Sequence, residues 1–298
     1  MARLAFLGTP EIAVPSLEAL VDAGHEIVLV VSRPDARRGR GKALTPSPVK
    51  QAALLRGLRV TDDLDEVAHC GAELGVVVAY GRIIPTALLD QVPMVNIHFS
   101  LLPRWRGAAP LERAILAGDE ETGVCLMAVA PALDTGGIFA VERTRVGDRT
   151  LSELQSDLAR RGASLLVRSL AGGVAGLGQP VDQVGEVTYA EKVGPLEHQL
   201  SMDASADIAL RTIRLGRAYT TLGTKRIRIL EARRSPEQSH QPAGTLDGVT
   251  LWLSDGAIEL LAVQPESRSP MPAQDWRRGL GAGPVSLGSV EPAGSPGT

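Results

Sequence analysis

The sequence predicts an α/β protein, a doubly wound and mostly parallel sheet followed by a smaller β-rich domain. Three observations carry this. Short apolar runs alternate with helix-periodic segments through the first half of the 298 residues. Those runs are apolar at successive positions, as strands covered on both faces must be. From about Ala204 the texture changes to one helix and then short alternating strands. The expected division is a catalytic domain at 1–186, a connector at 187–203, and a β-rich domain at 204–298 with a frayed end.

Taken in order, strands are expected at Leu4–Leu7, Ile27–Val31, Leu74–Ala79 and Met94–Phe99. Between the first two, "VPSLEALVDAG" places Leu17, Leu20 and Val21 on one helical face, with Gly24 positioned to end the helix. "SPVKQAALLRG" repeats the device, with Pro48 near the helix start and Gly57 past its end. A helix opens within Ala108–Ala117, and a long one runs from about Leu151 to Leu170. "AGGVAGLGQP" breaks that pattern, and Val187–Leu200 reads as a connector. A further helix ends near Leu215, before strands at Arg226–Leu230, Val249–Leu253 and Ile258–Val263. A sheet of this kind binds ligands beyond the carboxyl ends of its strands.

At 44% hydrophobic and 22% charged, the composition is that of a water-soluble globular chain. A chain this long buries roughly three quarters of its extended surface. No apolar run approaches the ~20 residues of a membrane span, and "MARLAFLGTPE" reads as a first strand rather than a secretory leader. Cys70 and Cys125 lack metal or redox spacing and read as inert thiols in a reducing cytosol.

The net charge of −3 hides two basic islands. Arg33–Lys42 holds five basic residues and one acid, and Arg211–Arg234 holds eight and one. Each alone is compatible with a solvated face; together they suggest a polyanionic partner.

Candidate chemistry concentrates in "VNIHFSLLPRWRGAAP". Strand alternation puts Asn96 and His98 on one face, roughly 6.5–7 Å apart along the strand. Two polar side chains in an apolar strand need partners or a purpose. A satisfied core histidine with Asn96 capping the next turn is the plainer alternative. Ser100-Leu101-Leu102-Pro103 leaves the carboxyl end, and Trp105 follows between Arg104 and Arg106, as a binding element or a packing lid. In "APALDTGGIFA", Asp134 is either a turn former or a carboxylate carried into the cleft by Gly136 and Gly137. An amide, an imidazole and a carboxylate together suit acyl transfer, which needs an oxyanion donor and a proton shuttle. No G-x-S-x-G elbow, G-x-G-x-x-G or P-loop occurs, and the histidines show no metal-ligand spacing.

The segment "NIHFSLLPRWRGAAP" with the later "LDTGG" resembles the folate-dependent formyltransferases. "FLGTPEIAVPSLEAL", "RPDARRGRGKALTPSPVK", "VAYGRIIP", "WRGAAPLERAILAGDEETGV" and "VTYAEK" resemble, in order, the members that act on methionyl-tRNA. The resemblance implies a monomer, without metal, that moves a formyl group from 10-formyltetrahydrofolate to the amino group of methionine on initiator tRNA. It implies that Asn96 holds the formyl oxygen, His98 shuttles the proton, and Asp134 orients and supports the imidazole or accepts the proton. It assigns Ser100, Leu101, Leu102 and Pro103 to one folate wall and Tyr80, Gly81, Arg82, Ile83 and Ile84 to the other. Arg33, Arg37, Arg38, Arg40 and Lys42 would grip the tRNA acceptor end. Lys225, Arg226 and Arg228, on an OB-like second domain, would meet the tRNA backbone. The family's Asn-Pro-Trp-Pro-Gly-like segment is missing here, since Leu215-Gly216-Arg217 runs directly into Ala218-Tyr219. Its usual Asp-Trp is also missing around Ser201–Asp203. Relatives that formylate an amino sugar or glycinamide ribonucleotide, a formyl-folate hydrolase, or an inactive RNA-binding homologue are the alternatives.

Overall fold

A computed structural model of the chain describes residues 1–37, 44–237 and 241–288. They form two compact units. One comprises Met1–Leu111, Glu120–Val146 and Glu153–Glu191; the other comprises Glu112–Asp119, Gly147–Ser152 and the residues from Lys192 onward.

The first unit is built on a seven-stranded sheet. From one edge its strands are Ile138–Arg145, Glu121–Ala128, Met94–His98, Leu74–Val78, Arg3–Gly8, Glu26–Val31 and Val60–Thr61. From Met94–His98 to Val60–Thr61 all neighbours pair in parallel. The helices Val14–Asp22, Pro48–Leu55 and Leu151–Ser169 fall where the apolar periodicity put them. Pro48 sits at the start of its helix, and the Ser47 hydroxyl caps it by accepting the Lys50 N–H at 3.0 Å.

Three strands of this sheet went unread in the sequence: Val60–Thr61, only two residues long, and the two at the opposite edge. Glu121–Ala128 runs antiparallel beside Met94–His98, and Ile138–Arg145 runs antiparallel beside Glu121–Ala128. The outer one is half-buried with charges at Glu142, Arg143 and Arg145, so it lacks the two-faced apolar signature of its neighbours. Met94–His98 is thus held between Leu74–Val78 on one side and Glu121–Ala128 on the other. Asn96 lies between Val77 and Met127, and His98 lies opposite Cys125.

The second unit is an antiparallel sheet with the order Tyr219–Leu222, Lys225–Arg234, Gly256–Pro265, Thr250–Leu253, Thr245–Asp247 and Val285–Ser286. Its two edges approach each other: the Gly288 N–H donates to the Thr221 carbonyl at 2.9 Å, bending the sheet toward a barrel. Ile227, Ile229, Leu251, Leu253, Ile258 and Leu260 fill the interior with Ile213 of the Ala206–Arg214 helix. Burying each such side chain is worth roughly 1.5–3 kcal/mol. Arg113 reaches the Glu197 carboxylate at 2.5 Å and Arg211 reaches the Ala117 carbonyl at 3.3 Å, which is why Glu112–Asp119 groups with this unit.

Candidate active site

Val95 and Ile97 point to the face covered by the Leu151–Ser169 helix, where Gly162 lies so close that a Cβ would stand 3.0 Å from Ile97. Asn96 and His98 therefore share the opposite face, as alternation requires. Asn96 is half-buried, and its amide makes no hydrogen bond among the described residues. His98 is only 5% exposed. Its Nε2 stands 2.9 Å from the Trp105 carbonyl, and its Nδ1 stands 3.6 Å from Oδ2 of Asp134.

These contacts set the tautomer. A carbonyl only accepts, so the neutral ring carries its proton on Nε2 and keeps the Nδ1 lone pair. Protonation of Nδ1 would create an imidazolium facing a carboxylate. The site thus holds an uncommitted amide donor, a nitrogen base and a counter-charge to receive its proton.

Asp134 sits in the left-handed region, with φ of 53°. Its Oδ2 accepts the Gly107 N–H at 2.8 Å, and its carbonyl accepts from Gln183 Nε2 at 2.8 Å. The same Nε2 reaches the Gly136 carbonyl at 2.8 Å, while Gln183 Oε1 accepts from Arg106 Nη2 at 2.7 Å and Nε at 3.1 Å. One amide thereby ties the Asp134 turn to the strand-end loop. Gly136 lets that turn press on the sheet; a Cβ there would lie 1.9 Å from the Ala128 carbonyl.

Trp105 serves the histidine through its backbone. With φ of 64°, and with its N–H donated to Thr188 Oγ1 at 2.9 Å, it turns its carbonyl to His98. Of the two arginines that flank it, Arg104 stacks on the ring at 4.5 Å, whereas Arg106 turns to Gln183. Sequence reasoning missed Gln183, Thr188 and this carbonyl. The two side chains lie in a segment with no periodic signal, and a carbonyl's role is not encoded by residue type.

The expected folate walls are more structural than the sequence suggests. Ser100 is buried and donates to the Arg104 carbonyl at 2.6 Å; Leu102 packs with Cys125 and Met127, and Pro103 is buried, leaving Leu101 half-buried. Tyr80 and Ile84 are core residues, and burial pushes the Tyr80 phenol up. Gly81, Arg82 and Ile83 face outward, with Ile83 87% exposed. The segment follows Leu74–Val78, the parallel neighbour of Met94–His98, so it lies at the same sheet edge as His98.

Of the first basic island, Arg33 donates to the Gly81 carbonyl and Arg37 is exposed; Arg38, Arg40 and Lys42 lie outside the described residues. Of the second, Lys225 and Arg226 are exposed, while Arg228 is engaged by Gln264 Oε1 at 2.8 Å and the Gly216 carbonyl at 3.1 Å. Cys125 is buried, and burial pushes its thiol up to about 11, which makes it a poor nucleophile. Among the described residues no group of His, Cys, Asp or Glu side chains could hold a metal ion, and no helix is long and apolar enough to cross a membrane.

This sheet, with an amide, an imidazole and a carboxylate at its strand ends, defines the class: residues 2–170 match the family model described as "Formyl transferase", and 209–281 match "Formyl transferase, C-terminal domain". A methionyl-tRNA formyltransferase of Roseobacter denitrificans is 41% identical over 93% of this chain and 95% of that protein. The chain belongs to the methionyl-tRNA formyltransferase family. Solved structures share the fold. A methionyl-tRNA formyltransferase from Clostridium thermocellum has a TM-score of 0.60 at 17% identity, covering 80% of this chain and 96% of that one. An N-formyltransferase from Helicobacter canadensis, bound to folinic acid and dTDP-3-aminofucose, has a TM-score of 0.67 at 17% identity, covering 87% and 99%.

Proposed function

We propose that the chain formylates the α-amino group of methionyl initiator tRNA, taking the formyl group from 10-formyltetrahydrofolate by direct acyl transfer in the cytoplasm, as a monomer. The observation that carries this is the trio of the uncommitted Asn96 amide, the Nδ1 lone pair of His98 and the Asp134 carboxylate 3.6 Å from it. When the methionine nitrogen bonds to the formyl carbon, the carbonyl oxygen gains charge and Asn96 donates to it. His98 Nδ1 takes the proton released by that nitrogen, and Asp134 stabilises the imidazolium. The proton then returns to the folate nitrogen as its bond to the formyl carbon breaks, and the electron pair of that bond stays with this nitrogen. No covalent enzyme intermediate is needed, in keeping with the raised Cys125 thiol.

For the donor, the exposed apolar Ile83 with Gly81, Arg82 and the half-buried Leu101 offers walls beside His98; the remaining residues of the two segments hold these in place. For the tRNA, Arg33–Lys42 and the OB-like barrel's Lys225 and Arg226 supply cationic contacts, for which a small amine substrate gives no reason. The test is incubation of pure protein with labelled formyl-folate and charged initiator tRNA, with free amino sugars as control. Label in the tRNA fraction alone supports the assignment; label in the sugars, or formate released with neither acceptor labelled, overturns it.

A further inference from the structure

A residue with a side chain keeps the left-handed conformation of Trp105, φ 64°, only where its surroundings over-determine it. Thr188, half-buried in the stretch that the sequence presents as a connector, grips it on both sides. The Thr188 hydroxyl oxygen accepts the Trp105 N–H at 2.9 Å, and the Thr188 carbonyl accepts the Arg106 N–H at 2.9 Å. Those N–H groups belong to the two peptides that flank the Trp105 Cα, so both backbone rotations of Trp105 are set. Thr188 is anchored in turn: its own N–H donates to the Pro103 carbonyl at 3.4 Å, and the next residues, Tyr189–Ala190, pair in parallel with Arg106–Gly107.

The far ends of the same peptides carry the catalytic pair. A trans peptide points its N–H and C=O in opposite directions. The Trp105–Arg106 peptide therefore spans from the Thr188 carbonyl to Nε2 of His98, which its own carbonyl meets at 2.9 Å. The following peptide carries the Gly107 N–H, which donates to Asp134 Oδ2 at 2.8 Å. His98 and Asp134 thus both lean on the stretch Trp105–Gly107. The ring tautomer depends on this hold. Asp134 Oδ2 stands 3.6 Å from Nδ1, beyond hydrogen-bond range, whereas the carbonyl at Nε2 is within it. While the carbonyl stays, a proton on Nδ1 would set two lone pairs face to face at Nε2, so the proton sits on Nε2. Without the hydroxyl, Trp105 would relax toward negative φ and swing its carbonyl away. The carboxylate would then draw the ring proton to Nδ1, which would cease to be a base.

We infer that Thr188 is a positioning residue for formyl transfer: its hydroxyl, acting through the Trp105 backbone, keeps His98 in the tautomer that leaves the Nδ1 lone pair free. This rests on the reading of His98 as the base, and not on which amine receives the formyl group.

The experiment compares Thr188→Val, which keeps the shape and deletes the hydroxyl, with Thr188→Ser, which keeps the hydroxyl, in the full-length protein. One readout is the nitrogen-15 resonances of the His98 ring in the free protein at alkaline pH, identified by their absence from His98→Ala. The other is kcat for formyl transfer. The unaltered protein and Thr188→Ser should carry the proton on Nε2. In Thr188→Val the proton should move toward Nδ1, with kcat lowered about tenfold or more and KM little changed. A hydroxyl that only stabilised the fold would lower the thermal midpoint without moving a proton between ring nitrogens. An unaltered protein with its proton on Nδ1 overturns the inference before any variant is made. So does a Thr188→Val protein with unmoved resonances or normal turnover, or a Thr188→Ser protein that loses as much as Thr188→Val. Because the resonances are read without substrate, failure of tRNA as the acceptor leaves this readout standing.

Discussion

Replacing His98 by alanine removes both the base and the group that faces Asp134, so turnover should fall by ~10²–10⁴. Binding of tRNA should stay within a few-fold, because no phosphate-gripping residue is altered. Asn96→Ala removes one oxyanion donor and should cost ~10²–10³ in kcat with little change in KM; stopped single-turnover assays on both variants check this. Gln183→Leu is the sharper test of the structure. It deletes the amide that holds the carbonyls of Asp134 and Gly136 and accepts from Arg106. Kcat should drop about tenfold and the pH profile should move, since the His98 counter-charge loses its tether. Equal loss in a variant whose pH profile is unchanged would reduce Gln183 to a packing role. Asn96 and His98 were legible because polar residues interrupt an apolar strand. Gln183 was not, because a glutamine in an irregular segment carries no signal until its partners are known.

At the level of elements, the site is made by one strand and two turns locked against it. Gly136→Ala would drive a methyl into the Ala128 carbonyl, so the Asp134 turn must lift from the Glu121–Ala128 strand. The expected outcome is activity lost at least tenfold, with near-native circular dichroism and a modestly lowered Tm. Four of the five parallel strands were readable because burial on both faces leaves an unbroken apolar run; the two-residue, partly buried Val60–Thr61 was not. The antiparallel pair was not: Ile138–Arg145 has an edge strand's mixed character, and its pairing is decided by contact with Glu121–Ala128 rather than by local pattern. Arg38, Arg40 and Lys42 were read from charge and from the family resemblance, and they lie outside the described residues.

Across the whole molecule, two histidines set a pH limit on stability. His25 and His198 are both held below the ordinary value of 6.5, first by burial. The unfolded chain therefore takes up protons before the native one does. Stability is full above about pH 6.5 and is lost progressively as pH falls through that value toward the lowered native range. The thermal midpoint should drop over that interval, and His198→Asn should remove part of the drop; an unchanged pH slope would contradict the burial argument. Binding of tRNA should weaken with added salt in proportion to the phosphates neutralised, and Arg37→Ala should make the dependence shallower. The central claim is that His98 moves the proton while Asp134 stabilises its charged form. The most direct measurement is the pH dependence of single-turnover formyl transfer to methionyl-tRNA by the unaltered protein and by Asp134→Asn. The account predicts a large loss of rate and a displaced pH profile for Asp134→Asn; near-normal turnover with the same profile would contradict it.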